Sequence, residues 1–142
     1  MNLIGFQPIF QLGAVLLAEI EADCGQAGGG LARIRELFPE IDRTGQRWFV
    51  AETHRAQGDL LRRCNALDAA EAAFERALET ARAQGTKLFE LRASSSLARL
   101  WRDQGRRAEA HDLLAPVYGW FTEGFDTLDL KEAKALLQEL AS

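Results

Sequence analysis

A forty-residue internal repeat is the feature that most narrows what this chain can fold into. Gly25, Asn65 and Gly105, each a residue that stops a helix, stand 65 − 25 = 40 and 105 − 65 = 40 apart. Other positions fall into the same step. Gly30, Ala70 and Ala110 are small, Ile34, Phe74 and Leu114 are large and apolar, and Ala18, Gly58 and Ala98 are again small. Gly5, Gly45 and Gly85 mark a second stop in each period, followed by Ile9, Phe49 and Phe89. A period of this length signals one supersecondary unit stacked on copies of itself, because no single unit can bury its apolar face alone.

Between the stops, apolar residues recur at three and four, as in Leu67, Ala70, Phe74, Ala77, Leu78 and Ala81. That is the period of a one-sided helix, and strand signals are missing. The pattern predicts an all-α chain of three antiparallel helix pairs. Pro8 to Asp23 pairs with Leu31 to Asp42, Gln46 to Arg63 with Leu67 to Gln84, and Lys87 to Asp103 with Arg107 to Phe121. A seventh helix, Leu128 to Leu140, follows the capping candidates Asp126 and Thr127; Lys131, Glu132, Lys134 and Glu139 give it the polar face that a terminal cap requires. The organisation expected is a single domain over 1–142, with units at about 5–44, 45–84 and 85–124 and a capping helix at about 127–140.

These residues resemble the tetratricopeptide repeat, whose pattern is W-x2-L-G-x2-Y, then A-x3-F, then P. The third unit has Ser94, Leu97, Ala98 and Trp101, then Ala110 and Leu114; the second has His54, Gln57, Gly58 and Leu61, then Ala70 and Phe74; the first has Ala14, Leu17, Ala18 and Glu21, then Gly30 and Ile34. Small residues let the helices of a unit approach, and large ones fill the space between units. The opening Trp and closing Pro are absent, and the period of 40 exceeds the usual about 34, which implies longer helices. The run from Ser96 to Leu140 also resembles the helical-repeat tail of large bacterial signalling proteins, in which a class III adenylate cyclase or a DNA-binding domain is joined to a P-loop ATPase. The resemblance implies a non-catalytic scaffold module in signal transduction. It carries no cyclase or ATPase activity into this chain.

Catalytic signatures are missing. Gly25 to Gly30 spaces two glycines as a phosphate loop does, but Leu31 stands where the lysine must be, and an inter-helix turn is the expectation. His54 and His111 lie in different units without metal-ligand spacing, and His54 falls at a packing position; Ser94, Ser95 and Ser96 have no nucleophile elbow around them. No enzyme activity, metal or cofactor is expected. Cys24 and Cys64 are separated by 40 on equivalent helices whose axes should lie about 8–10 Å apart, too far for a disulfide, so both are expected as free thiols. The apolar run from Leu12 to Ala18 lacks the basic flank of a signal peptide and is too short to span a bilayer, so no membrane contact and a cytoplasmic location are expected.

Charge locates a candidate binding face. Residues 1–42 hold 2 basic and 6 acidic side chains (−4), residues 43–107 hold 13 and 8 (+5), and residues 108–142 hold 2 and 7 (−5). On the helix expected to line the concave surface of each unit, the inward positions are Glu52, Arg55, Asp59, Arg62 and Arg63, then Arg92, Ser95, Arg99 and Arg102. Arginine grips carboxylates with a planar fork, so the partner expected at Arg55, Asp59, Arg62, Arg92, Arg99 and Arg102 is a protein's acidic peptide or chain terminus. Arg55, Arg62, Arg99 and Arg102 are expected to converge on one groove. The alternatives are a solvated face whose arginine stems shield apolar neighbours, and single-stranded nucleic acid. Against the latter, Trp48, Phe49, Phe89 and Trp101 take packing positions and leave no aromatics for base stacking.

The first helix differs. Its equivalent positions are Leu12, Val15 and Leu16, preceded by Leu3, Ile4, Phe6, Ile9 and Phe10. Three or four such side chains in water forgo roughly 1.5–3 kcal/mol each, so a homodimer centred on Leu12, Val15 and Leu16 is expected.

Overall fold

The computed structural model describes residues 27–45, 47 and 49–142. Among these residues the chain is all-helical and contains no strand. The elements are α1 (Ala27–Thr44), α2 (Val50–Arg63), α3 (Leu67–Gln84), α4 (Lys87–Asp103), α5 (Arg107–Trp120) and α6 (Leu128–Ala141). The expected helix from Pro8 to Asp23, the apolar positions Leu12, Val15 and Leu16, and Cys24 and Trp48 lie outside the described residues. Each helix packs on the next in sequence. In addition α2 packs on α4 and α4 on α6, so these three form a continuous row.

The period recurs in the backbone. Asn65 and Gly105 both adopt left-handed conformations, at φ 61 and φ 80, and each ends a helix in the same way. The Ala66 amide donates to the Leu61 carbonyl at 2.9 Å and the Arg106 amide to the Trp101 carbonyl at 2.8 Å, the six-to-one bond that satisfies otherwise orphaned carbonyls at a helix end. Gly and Asn are the residues that enter this region at least cost.

The side chains at the repeat positions are buried accordingly. Ile34, Phe74 and Leu114 are fully buried, as are Ala70 and Ala110. Leu31, Ile34, Leu37 and Ile41 pack on Phe49, Val50, Ala56 and Leu60. Phe74 packs with Leu97 and Leu100, and Leu114 with Leu91, Ala98, Ala133 and Leu136. The apolar side of α6 thereby closes the core, while Lys131 and Lys134 stay exposed.

Three expectations need correction. Gly28 to Gly30 belong to the first turn of α1 and not to an inter-helix turn; packing of Leu31, Ile34 and Leu37 on α2 outweighs the helix cost of about 1 kcal/mol per glycine. Helix α2 begins at Val50, later than the expected Gln46. Thr127 takes the N-cap position of α6 but does not cap it with its side chain. Its hydroxyl donates backward to the Gly124 carbonyl at 2.7 Å.

Candidate functional site

On α4, Arg92, Ser95, Ser96 and Arg99 follow one another at i, i+3, i+4 and i+7 and so share one helix face. That face looks across to α2 on one side and α6 on the other, where it borders a recess of about 80 Å³ lined by Arg55, Arg92, Ser95, Ser96, Arg99, Asp129 and Glu132, with Leu91 behind. A space of this size has room for several ordered waters or one small charged group. The Ser95 hydroxyl in its wall is buried and has no hydrogen-bond partner, as is also true of Ser94. A buried hydroxyl left unpaired costs about 1–3 kcal/mol.

The guanidiniums are held by carboxylates on three helices. Glu52 of α2, whose side chain is only 3% exposed, receives Arg55 at 3.0 Å from its own helix and Arg92 at 3.0 Å from α4. Arg92 also lies 3.6 Å from Asp129, and Arg99 lies 3.4 Å from Glu132, both on α6. Farther along the same row, Arg102 meets Glu139 at 3.1 Å and Asp103 at 3.1 Å. Burial opposes the Arg102 charge, but the bonds to Asp103 and Glu139 outweigh it and hold its pKa above the ordinary value. Asp59 bridges Arg55 at 3.6 Å and Arg62 at 3.7 Å. A ladder of opposite charges thus runs from α2 through α4 to α6.

Of the six residues expected on this face, the recess brings together Arg55, Arg92 and Arg99. Asp59, Arg62 and Arg102 belong to the same ladder but stand outside the recess lining. Ser95 and Ser96 complete its wall, and Asp129 and Glu132 its far side. The acidic spacing of Asp129 and Glu132 on α6 was the available sequence signal, obscured because Glu132 also suited a solvated cap.

The aromatic residues near the row are occupied structurally. Phe49 and Phe89 meet edge to face with ring centres 5.9 Å apart. Trp101 donates its indole N–H to Glu71 at 2.7 Å, and Arg106 lies over its ring at 4.6 Å while reaching Glu71 at 3.0 Å.

His54 is half-buried on α2 and stacked on Phe38 with ring centres 4.7 Å apart, and its Nδ1 has no partner. Desolvation by burial, followed by the nearby charge of Arg76, lowers its pKa to about 4, although the Gln57 side chain and Arg47 also act, in opposite directions. An unfolded histidine titrates near 6.5. The folded state therefore takes up its proton later than the unfolded state, so stability is full above pH 6.5 and falls as pH drops toward 4. Discounted for the ring's partial exposure, the loss between pH 7 and pH 5 should be about 1 kcal/mol. Urea titrations of wild type and His54→Phe check this: the variant should lose that component, and parallel pH profiles would contradict it.

Among the described residues no group of three or more His, Cys, Asp or Glu is placed to hold a metal ion, and no helix is long and apolar enough to cross a membrane. Cys64 is a free, exposed thiol. Compared with family models, with curated proteins and with solved structures, the chain matches none.

Proposed function

We propose that this chain is a non-catalytic interaction module, a tetratricopeptide-like solenoid of helix pairs, whose α2–α4–α6 row binds an acidic segment of a partner protein. Support for the solenoid comes from the forty-residue period, the shared helix ends at Asn65 and Gly105, and the row of alternate helices. One observation carries the binding reading: three guanidiniums and the unpartnered Ser95 hydroxyl border the same recess. The guanidiniums of Arg92 and Arg99 offer five N–H donors each, more than Glu52, Asp129 and Glu132 take up at 3.0–3.6 Å. The resemblance of residues 96–140 to bacterial signalling tails supports a role beside a nucleotide-driven domain.

The test is a titration of a fluorescein-labelled octaglutamate peptide, with single-stranded RNA of random sequence as competitor. Binding should weaken with salt and fall at least about tenfold in Arg99→Glu, while helix content stays unchanged, since Arg99 is about one-third exposed and its partner Glu132 about half exposed. Equal affinity of the variant for the peptide would remove the binding reading. Preference for RNA over the peptide would replace it with the nucleic-acid alternative.

A further inference from the structure

The large apolar side chains left exposed among the described residues are Leu88, Trp120, Phe125 and Leu128, at 47%, 57%, 45% and 69%. Three of them fall within nine consecutive residues, Trp120 to Leu128, between α5 and α6. Lys87 at the start of α4 holds its ammonium 5.4 Å from the centre of the Trp120 ring. Scattered single apolar residues are normal on a surface, but a cluster rich in aromatics marks an interaction site. Trp is also the residue most enriched among the anchors of interfaces.

The segment is held in place. Gly124 adopts φ 78, the Thr127 amide and hydroxyl both donate to the Gly124 carbonyl, and the Phe125 ring leans on Tyr118 with centres 5.8 Å apart. Trp120 stands edge to face on Phe121 at 5.2 Å. Side chains fixed in this way lose little further freedom on binding, which lowers the entropic cost of docking.

Charge identifies the occupant. Residues 120–128 contain Glu123 and Asp126 and no cation. Both carboxylates are exposed, and neither is taken up in an ion pair among the described residues. The nearest cation, Lys87, is bound to Glu90 at 3.1 Å. An apolar patch rimmed by free carboxylates complements apolar side chains flanked by lysine or arginine. Beside Trp120, a second recess of about 260 Å³ has Leu113, Pro116 and Val117 on its apolar side and Asp112, Glu90, Arg82 and Lys87 on its polar side, with both cations bound to Glu90 at 3.2 and 3.1 Å.

We propose that the edge formed by Trp120, Phe125 and Leu128, with Glu123 and Asp126, is a docking site for a basic amphipathic segment of a partner protein. This surface is separate from the arginine row and selects the opposite charge. A module with both would hold two partners at once.

The probe is a labelled eighteen-residue helical peptide with leucines at i, i+3, i+4 and i+7 flanked by lysines, compared with the same peptide carrying glutamates in place of lysines. Fluorescence anisotropy should show the lysine peptide binding at least about tenfold tighter, a difference of about 1.4 kcal/mol. Glu123→Lys/Asp126→Lys should invert that preference, and Trp120→Ser should abolish binding; because these side chains are exposed, both variants should keep wild-type helix content. Equal affinity of the two peptides, or unchanged binding by Trp120→Ser, overturns the proposal. So does a dimer in light scattering that Trp120→Ser dissociates, because the occupant is then a second copy of the chain.

Discussion

Gly58→Ala should destabilise the fold by about 2 kcal/mol even though alanine is the better helix former. A methyl group added at Gly58 would meet the Phe74 ring at 2.5 Å from Cε1 and 2.6 Å from Cδ1, contacts that folded proteins do not sustain. Phe74 is fully buried and cannot swing into solvent. Replacing glycine inside a helix gains about 1 kcal/mol, whereas forcing a methyl into a filled core costs about 1–3 kcal/mol or more. The unfavourable term is the larger because the neighbour is a rigid ring. The next unit supplies the remedy. There Ala98 occupies the position of Gly58 and Leu114 that of Phe74, both at full burial. Phe74→Leu alone should cost about 1 kcal/mol through the space it opens, and Gly58→Ala/Phe74→Leu should return to within about 1 kcal/mol of wild type. Urea denaturation of the four proteins decides: strictly additive losses would show that the two units are not packed alike.

Glu52→Ala should lower stability by about 3 kcal/mol, far more than loss of any carboxylate on α6. Glu52 is the most deeply buried carboxylate of the ladder and receives guanidiniums from two helices, Arg55 of α2 and Arg92 of α4. Arg55 is itself only 12% exposed, so deleting its acceptor leaves a largely desolvated cation with Asp59 at 3.6 Å. Removing one member of a buried ion pair costs about 3–5 kcal/mol, and partial replacement by Asp59 places the estimate at the low end. Glu132, about half exposed, pairs with Arg99 at 3.4 Å, and Glu132→Ala should change stability by about 0.5 kcal/mol or less. Thermal melts of both variants test the contrast. Equal, small losses would mean that the ladder does not join α2 to α4.

Helix positions were largely legible because period and stops agree. Leu67 to Gln84 and Lys87 to Asp103 are the bounds of α3 and α4, and Arg107 to Phe121 differs from α5 by one residue. Failure came where local propensity and tertiary packing disagree, as in the glycines that open α1. The arginine face was legible as a stripe because spacing along one helix fixes which side chains share a side. Its partners were not. Asp129 and Glu132 follow the irregular segment 121–127, which interrupts the helical period and hides their position opposite α4. The unpaired state of Ser95 depends on three helices meeting, and no spacing rule contains it. Trp120 and Phe125 were hidden for a related reason: apolar residues at a helix end look the same in sequence whether a core covers them or water does.

The face shared by α2, α4 and α6 is proposed to receive an acidic partner. Amide chemical shifts of isotope-labelled protein, followed while octaglutamate peptide is added, test it most directly. The expected result is progressive shifts concentrated at Arg55, Arg92, Ser95, Ser96 and Arg99, with α3 and the outer side of α5 unmoved. Shifts confined to α3 and α5, or none at peptide concentrations well above micromolar, would contradict it.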